Sequence, residues 1–273
     1  MFRRRRSRLK GQSINRLLPN ILTVLALCAG MTAIRFGFQE KWEWAVFAVI
    51  VAAVFDILDG RIARLLGGTS KFGAELDSLS DFVSFGAAPA VLLYFWTMQD
   101  VGGVGWALVL LFSVCCALRL ARFNIHSGAA DSDLPPWAFN YFTGVPAPAG
   151  AGLMLLPMML TFEFGPGFFD GQVLNGFVII GTALLMISRI PTYSLKQFKV
   201  PQKYVLPTLL LVGLVAASLA SAHWATFISI GVAYLVSIPF SYRSFHHLRR
   251  EAERIQAHSH HDEEAEPGEP NPD

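Results

Sequence analysis

Four aspartates stand at fixed intervals in one short stretch of this chain. The pattern is Asp56-x-x-Asp59-Gly60-x-x-Ala63-Arg64, eight residues, then Gly73-x-x-x-Asp77-x-x-x-Asp81. Read as helices, Asp56, Asp59, Gly60, Ala63 and Arg64 share one face at i, i+3, i+4, i+7 and i+8. Asp77, Asp81 and Ser84 share a face of the next helix at i, i+4 and i+7, with Gly73 one turn earlier. Two antiparallel helices joined by a short link can aim all four carboxylates at one point. Unneutralised, such carboxylates repel one another. Hard divalent cations relieve that repulsion, and an oxygen-only set without His or Cys selects magnesium, manganese or calcium over zinc. Four carboxylates suit two ions about 4 Å apart, the arrangement used for phosphoryl displacement. Arg61 and Arg64 supply positive charge for a phosphate beside them.

The surroundings of this cluster are apolar. Residues 44–55 carry no charge, nor do residues 82–98. The chain is 53% hydrophobic and 15% charged over 273 residues, against about 25% charged in an average globular chain. That balance excludes an ordinary soluble domain and predicts an all-α, polytopic membrane bundle. About eight spans are expected, at residues 17–36, 42–66, 72–96, 104–124, 145–161, 174–190, 205–221 and 224–242. Only Ala222 and His223 separate the last two, which leaves a tight helical hairpin as an alternative. Acids at the edge of a bilayer are costly and usually functional.

Lysine and arginine set the orientation. With both termini in the cytoplasm and the spans alternating, 20 of the 22 basic residues fall inside, and only Arg35 and Lys41 fall outside. The aspartates then lie at the cytoplasmic ends of the second and third spans. Residues 1–16 form a basic segment with seven of the basic residues. Its role is read as anchoring to anionic lipid rather than recognition of nucleic acid, and the segment after it as a retained span rather than a cleaved leader. Residues 17–242 make the membrane domain and 243–273 a polar, acidic tail expected to be disordered. His258, His260 and His261 in that tail are read as solvated, with metal binding the sharper alternative. Cys28, Cys115 and Cys116 are expected as buried small apolar residues with no disulfide framework. The internal connectors at residues 126–144 and 188–204 are expected as loops, the second one basic and suited to lipid headgroups.

Two bland readings compete with the cation site. Arg61 and Arg64 alone could pair with two carboxylates, which leaves two unexplained. A divalent-cation transporter would also use intramembrane acids, but the acids gather at one end of two helices and none lies mid-span elsewhere.

At its eight defined positions the aspartate pattern resembles the diagnostic motif of the CDP-alcohol phosphotransferase family. LLPNILT at 17–23, SKFGAELDSLSDFVSFGAAPA at 70–90, RLARFN at 119–124 and GVPAPA at 144–149 are similar to the bacterial branch of that family that transfers to serine. The resemblance runs from residue 17 to about residue 205. It implies two divalent cations, magnesium or manganese. Asp56, Asp59 and Asp77 would hold one, and Asp56, Asp77 and Asp81 the other. It implies that Asp81 takes the proton of the serine hydroxyl, and that Gly60, Ala63 and Gly73 shape the nucleotide pocket with Asp59 and Arg64 near the cytidine diphosphate. Asn20 and Thr23 are placed to touch the nucleotide or to serve helix packing.

CDP-diacylglycerol and L-serine are thus the implied substrates, in a homodimer of the bacterial inner membrane whose active site faces the cytoplasm. For the acceptor, Arg119 and Arg122 could bind a carboxylate, with Asn124 or Ser84 assisting. The two arginines could equally be positive-inside anchors. Glycerol 3-phosphate, inositol phosphate or choline are the alternative acceptors. A phosphorylated acceptor needs more positive charge near Asp81, and the third span has no basic residue after Lys71.

Overall fold

The computed structural model describes residues 14–67, 70–128, 141–193, 201 and 204–265, with side chains described for most of these. Most of the basic amino-terminal segment, much of the two internal connectors and the last eight residues lie outside the described residues. Contacts divide the chain into two compact units. One comprises residues 1–129 with 146–187, the other 130–145 with 188–273.

In the first unit the helices are α1 (Ile14–Phe38), α2 (Trp42–Leu65), α3 (Lys71–Asp81), α4 (Ala88–Trp96), α5 (Gly103–Gly128), α6 (Ala147–Phe164) and α7 (Gln172–Ile187). A π-helical turn over Phe82–Ala87 joins α3 to α4, and a 3-10 turn over Met98–Val101 precedes α5. Among the described residues of this unit, four rods, Leu17–Phe38, Lys71–Trp96, Gly103–Ile125 and Ala147–Phe164, are long and apolar enough to cross a membrane. α2 has the length but also carries Glu43, Asp56, Asp59, Arg61 and Arg64. Its charge is the cost of the aspartate site.

Small residues let α1 approach its neighbours closely. Ala26, Gly30, Ala33 and Gly37 recur every three or four positions along one face of α1, all buried. A methyl group on Gly30 would lie 2.8 Å from the Ser84 Cα in the π turn. α2, which packs along α1, also buries small residues, Ala45, Ala48 and Ala52. Without a water-driven hydrophobic effect between lipid-bathed helices, such close backbone contact is what holds them together. Phe85, Leu92, Leu93, Phe112, Met154 and Met186 fill the remaining interior. Cys115 and Cys116 are buried as expected, but Cys28 is exposed. It shares its side of α1 with Leu25 and Met31, which are exposed as well.

In the second unit, α8 (Val205–Ser221) and α9 (His223–Ala265) are separated by Ala222 alone. Its φ of −145° and ψ of 66° break the helix. The segment His223–Phe245 of α9 has span character, while α8 is a shorter apolar helix. The connectors expected as loops contribute an antiparallel pair, β1 (Tyr141–Thr143) and β2 (Pro191–Tyr193), with Phe142 opposite Thr192. Aromatic and β-branched residues favour that extended form. Gly144 closes it with φ 79°, its N–H donating to Ile190 O at 2.9 Å and its carbonyl accepting from Thr192 Oγ1 at 2.9 Å. β2 packs on α9. The tail expected to be disordered from residue 243 is instead helical through Ala265. The run Arg249–Ala257 is rich in strong helix formers, and Pro267 lies beyond the described residues.

Candidate active site and metal centre

The site is built where α2 and α3 face each other. α2 ends at Leu65 with Leu66 as its cap, and Gly67 then takes a left-handed φ of 57°. α3 begins at Ser70, an extended residue whose Oγ accepts from Gly73 N–H at 3.0 Å. This N-cap satisfies one of the donors that every helix start leaves open and fixes the phase of the turn carrying Asp77. Asp59 is buried; Asp56, Asp77 and Asp81 are half-buried.

One carboxylate oxygen from each of Asp56, Asp59 and Asp77 lies within 4.8 Å of the other two. The carboxyl of Asp81 lies within hydrogen-bonding reach of Asp56. All four predicted acids are therefore brought together. Oxygen donors alone, packed this closely, suit a hard divalent cation and no softer metal. On this structure the residues fit the group that the sequence implied.

Around the acids the structure redistributes several roles. Thr23 of α1, 4% exposed, has its Oγ1 2.6 Å from Asp59 Oδ2. Its hydroxyl is thus engaged by a carboxylate of the aspartate cluster. Asn20, one turn earlier, packs on α3 where a methyl group on Gly73 would come within 2.8 Å of its Oδ1. Gly73 is small because α1 passes there. Gly60 and Ala63 are half-buried on the same side of α2. Arg64 is exposed and donates from Nε to Gly60 O at 2.9 Å, and Arg61 is exposed.

Of the acceptor candidates, Ser84 is fully buried and donates to Ala26 O of α1 at 3.2 Å. Its hydroxyl thus serves the contact between the π turn and α1: in an apolar interior it takes the nearest carbonyl. Arg122 donates from Nη1 to Ile187 O at 3.1 Å, the last residue of α7. A cation at a helix carboxyl end is electrostatically favourable. Asn124 Nδ2 donates to Ser78 Oγ at 2.8 Å, and the Ser78 hydroxyl, one residue along α3 from Asp77, has its nearest acceptor in Ala74 O at 3.0 Å. Arg119 follows Cys116 by one turn on α5, and Cys116 packs against Gly86 of the π turn, where a methyl group would come within 3.1 Å of its Sγ.

Sequence reasoning missed Ser78 and Ser80. Ser80, buried between the two acids of α3, donates to Thr23 O at 3.0 Å. The available signal was the requirement that a hydroxyl inside an apolar helix find a partner, together with the one-turn spacing of Ser80 and Ser84 matching that of Thr23 and Ala26.

Comparison with known proteins agrees with this site. A family model described as CDP-alcohol phosphatidyltransferase matches residues 16–192, and one described as CDP-alcohol phosphatidyltransferase 2 matches residues 203–239. A CDP-diacylglycerol–serine O-phosphatidyltransferase of Mycobacterium tuberculosis is 40% identical over 228 residues, 84% of this chain and 79% of the relative. One from Helicobacter pylori is 36% identical over 202 residues, 73% of this chain and 81% of the relative. An archaetidylserine synthase of Methanothermobacter thermautotrophicus is 32% identical over 175 residues, covering 63% and 68%. With its aspartate pattern folded into one oxygen-lined site and its family model covering most of the helices that build it, the chain belongs to the CDP-alcohol phosphatidyltransferase family.

Proposed function

We propose that this chain transfers the phosphatidyl group of CDP-diacylglycerol to L-serine, releasing CMP and forming phosphatidylserine. The observation that carries this is the convergence of Asp56, Asp59 and Asp77 within 4.8 Å with Asp81 alongside, in a chain whose similar relatives are named for transfer to serine. Asp56, Asp59 and Asp77 would hold one divalent cation, and Asp56, Asp77 and Asp81 a second. Bound there, the cations neutralise charge on the pyrophosphate and on the departing CMP.

The chain's own groups then have distinct tasks. Asp81 accepts the proton of the serine hydroxyl, which is a poor nucleophile until a base lies within hydrogen-bond reach. The serine oxygen forms a bond to the phosphorus that bears diacylglycerol, the bond from that phosphorus to the bridging oxygen breaks, and CMP leaves with that oxygen. Holding both substrates in line supplies much of the rate. Gly60 and Ala63 leave room for the nucleotide near Asp59 and Arg64, and Gly73 lets Asn20 of α1 come close enough to border it. Arg119 of α5 binds the serine carboxylate.

The positive-inside bias supports about eight spans with both termini and the site at the cytoplasmic surface of a bacterial inner membrane. There a water-soluble amino acid meets a lipid that keeps its tails in the bilayer. A homodimer is in keeping with the family.

The deciding experiment supplies purified chain with labelled CDP-diacylglycerol, manganese and a panel of acceptor alcohols. Serine should yield CMP and phosphatidylserine. Product from another alcohol alone would replace the acceptor, and metal uptake into liposomes without CMP release would replace the enzyme with a transporter.

A further inference from the structure

We propose that Thr23 is a positioning residue for the metal centre: held from α3 through α1, its hydroxyl fixes the carboxylate of Asp59 for the divalent cation. The inference rests on the cation reading above and adds a residue that lies outside the aspartate motif, on a different helix.

The geometry of the hydroxyl is the starting point. Threonines in the helices of this chain commonly donate to the carbonyl four residues back. Thr32 does so to Cys28 O at 2.6 Å, Thr161 to Pro157 O at 2.9 Å, Thr208 to Tyr204 O at 2.7 Å and Thr226 to Ala222 O at 2.9 Å. Thr23 has the same outlet, Pro19 O at 3.1 Å. Yet Asp59 Oδ2 is closer, at 2.6 Å. A hydroxyl carries one proton, and about 2.5–2.7 Å is the length of a hydroxyl bond to a charged oxygen. The proton therefore points to Asp59.

The location of Thr23 is itself determined. Its carbonyl accepts from Ser80 Oγ at 3.0 Å, and one turn deeper Ala26 O accepts from Ser84 Oγ at 3.2 Å. Both serines belong to the rod that carries Asp77 and Asp81. α1 thus takes its register from the acids of α3 and passes it, through one hydroxyl, to an acid of α2. Partners of this kind hold metal ligands in one rotamer, and their removal typically lowers metal affinity about 10–100-fold. Thr23 and Asp59 are both only 4% exposed, so water is a poor substitute for the lost hydroxyl.

The test is manganese binding to the full-length chain in detergent, read from the paramagnetic resonance signal of free Mn²⁺, with the metal-free unfolding temperature measured on the same samples. Thr23→Val should weaken Mn²⁺ binding about tenfold or more, and Thr23→Ser should bind close to wild type. Ser80→Ala should fall between them. A Thr23→Val protein that unfolds earlier but binds Mn²⁺ as wild type does overturns the proposal, because Thr23 then serves packing alone. If Thr23→Val does not fold, Thr23→Ala, which only removes atoms, is read against the same two outcomes. Wild-type protein that binds no Mn²⁺, or an Asp77→Asn protein that binds it as well as wild type, overturns the cation reading itself and this inference with it.

Discussion

The side-chain amide of Asn124 donates to the hydroxyl of Ser78 at 2.8 Å, whose own proton has Ala74 O at 3.0 Å, and so ties α5 to α3 one residue from Asp77. Single replacements Asn124→Ala and Ser78→Ala and the double variant should show a coupling of about 0.5–1.5 kcal/mol in unfolding measurements. Strict additivity would mean that the two side chains do not depend on each other.

Asp81 and Asp77 should separate by function. Asp81→Asn keeps the shape and removes the base, so kcat should fall by about 10²–10⁴ while Mn²⁺ still binds through Asp56, Asp59 and Asp77. Asp77→Asn should lose both. CMP release and Mn²⁺ titration on the same preparations check this, and equal losses of binding in the two variants would argue against a base at Asp81.

Chelation offers a test that needs no variant. Activity should vanish with excess EDTA and return with manganese or magnesium, and zinc should restore less because the donors are all oxygen. Activity that survives thorough chelation would count against a cation-assisted transfer.

Gly30 and Ser84 lie in the same contact but should respond differently. A methyl group at Gly30 meets the Ser84 backbone at 2.8 Å, which no side-chain rotation relieves. Gly30→Ala should therefore destabilise the fold by about 1–3 kcal/mol. Ser84→Ala loses only the bond to Ala26 O and should cost about 1 kcal/mol, with the KM for serine unmoved. A raised serine KM in Ser84→Ala would return that residue to the acceptor pocket.

The two arginines of α5 should also part. Arg119→Gln should raise the KM for serine more than it lowers kcat. Arg122→Gln gives up the bond to Ile187 O and should lower the unfolding temperature with a smaller effect on KM. Steady-state kinetics and thermal unfolding on both variants resolve the two roles.

Much of the site is legible in the sequence alone. The helical spacing of Asp56, Asp59, Asp77 and Asp81 requires a convergent site, because period and face follow directly from residue number. Ala222 as the break between the last helices can be read from the length of the apolar runs. Which hydroxyl serves which partner cannot. Thr23 reads as a nucleotide contact and Ser84 as an acceptor contact, since a sequence shows donors without the acceptor opposite. Cys28 fails for a related reason: an apolar helix in lipid has no polar face to mark its outside, so its inward side is legible only from small residues such as Ala26 and Gly30. The extended pair at Phe142 and Thr192 depends on two segments about fifty residues apart meeting in register, which local preference does not encode.

The π-helical turn at Phe82–Ala87, whose Gly86 carbonyl accepts from Ser113 Oγ at 3.2 Å, has a consequence for how this rod tolerates insertion and deletion. A π turn holds one residue more than the α-helical course needs, and each residue of helix turns the face by about 100°. The extra residue is thus a phase offset between the half that displays Asp77 and Asp81 and the half that buries Leu92 and Leu93. Deleting one residue from the turn should leave two sound helices and an apolar rod of nearly the same length, with the aspartates swung away from α2. In this rod the count of residues carries information that their polarity does not.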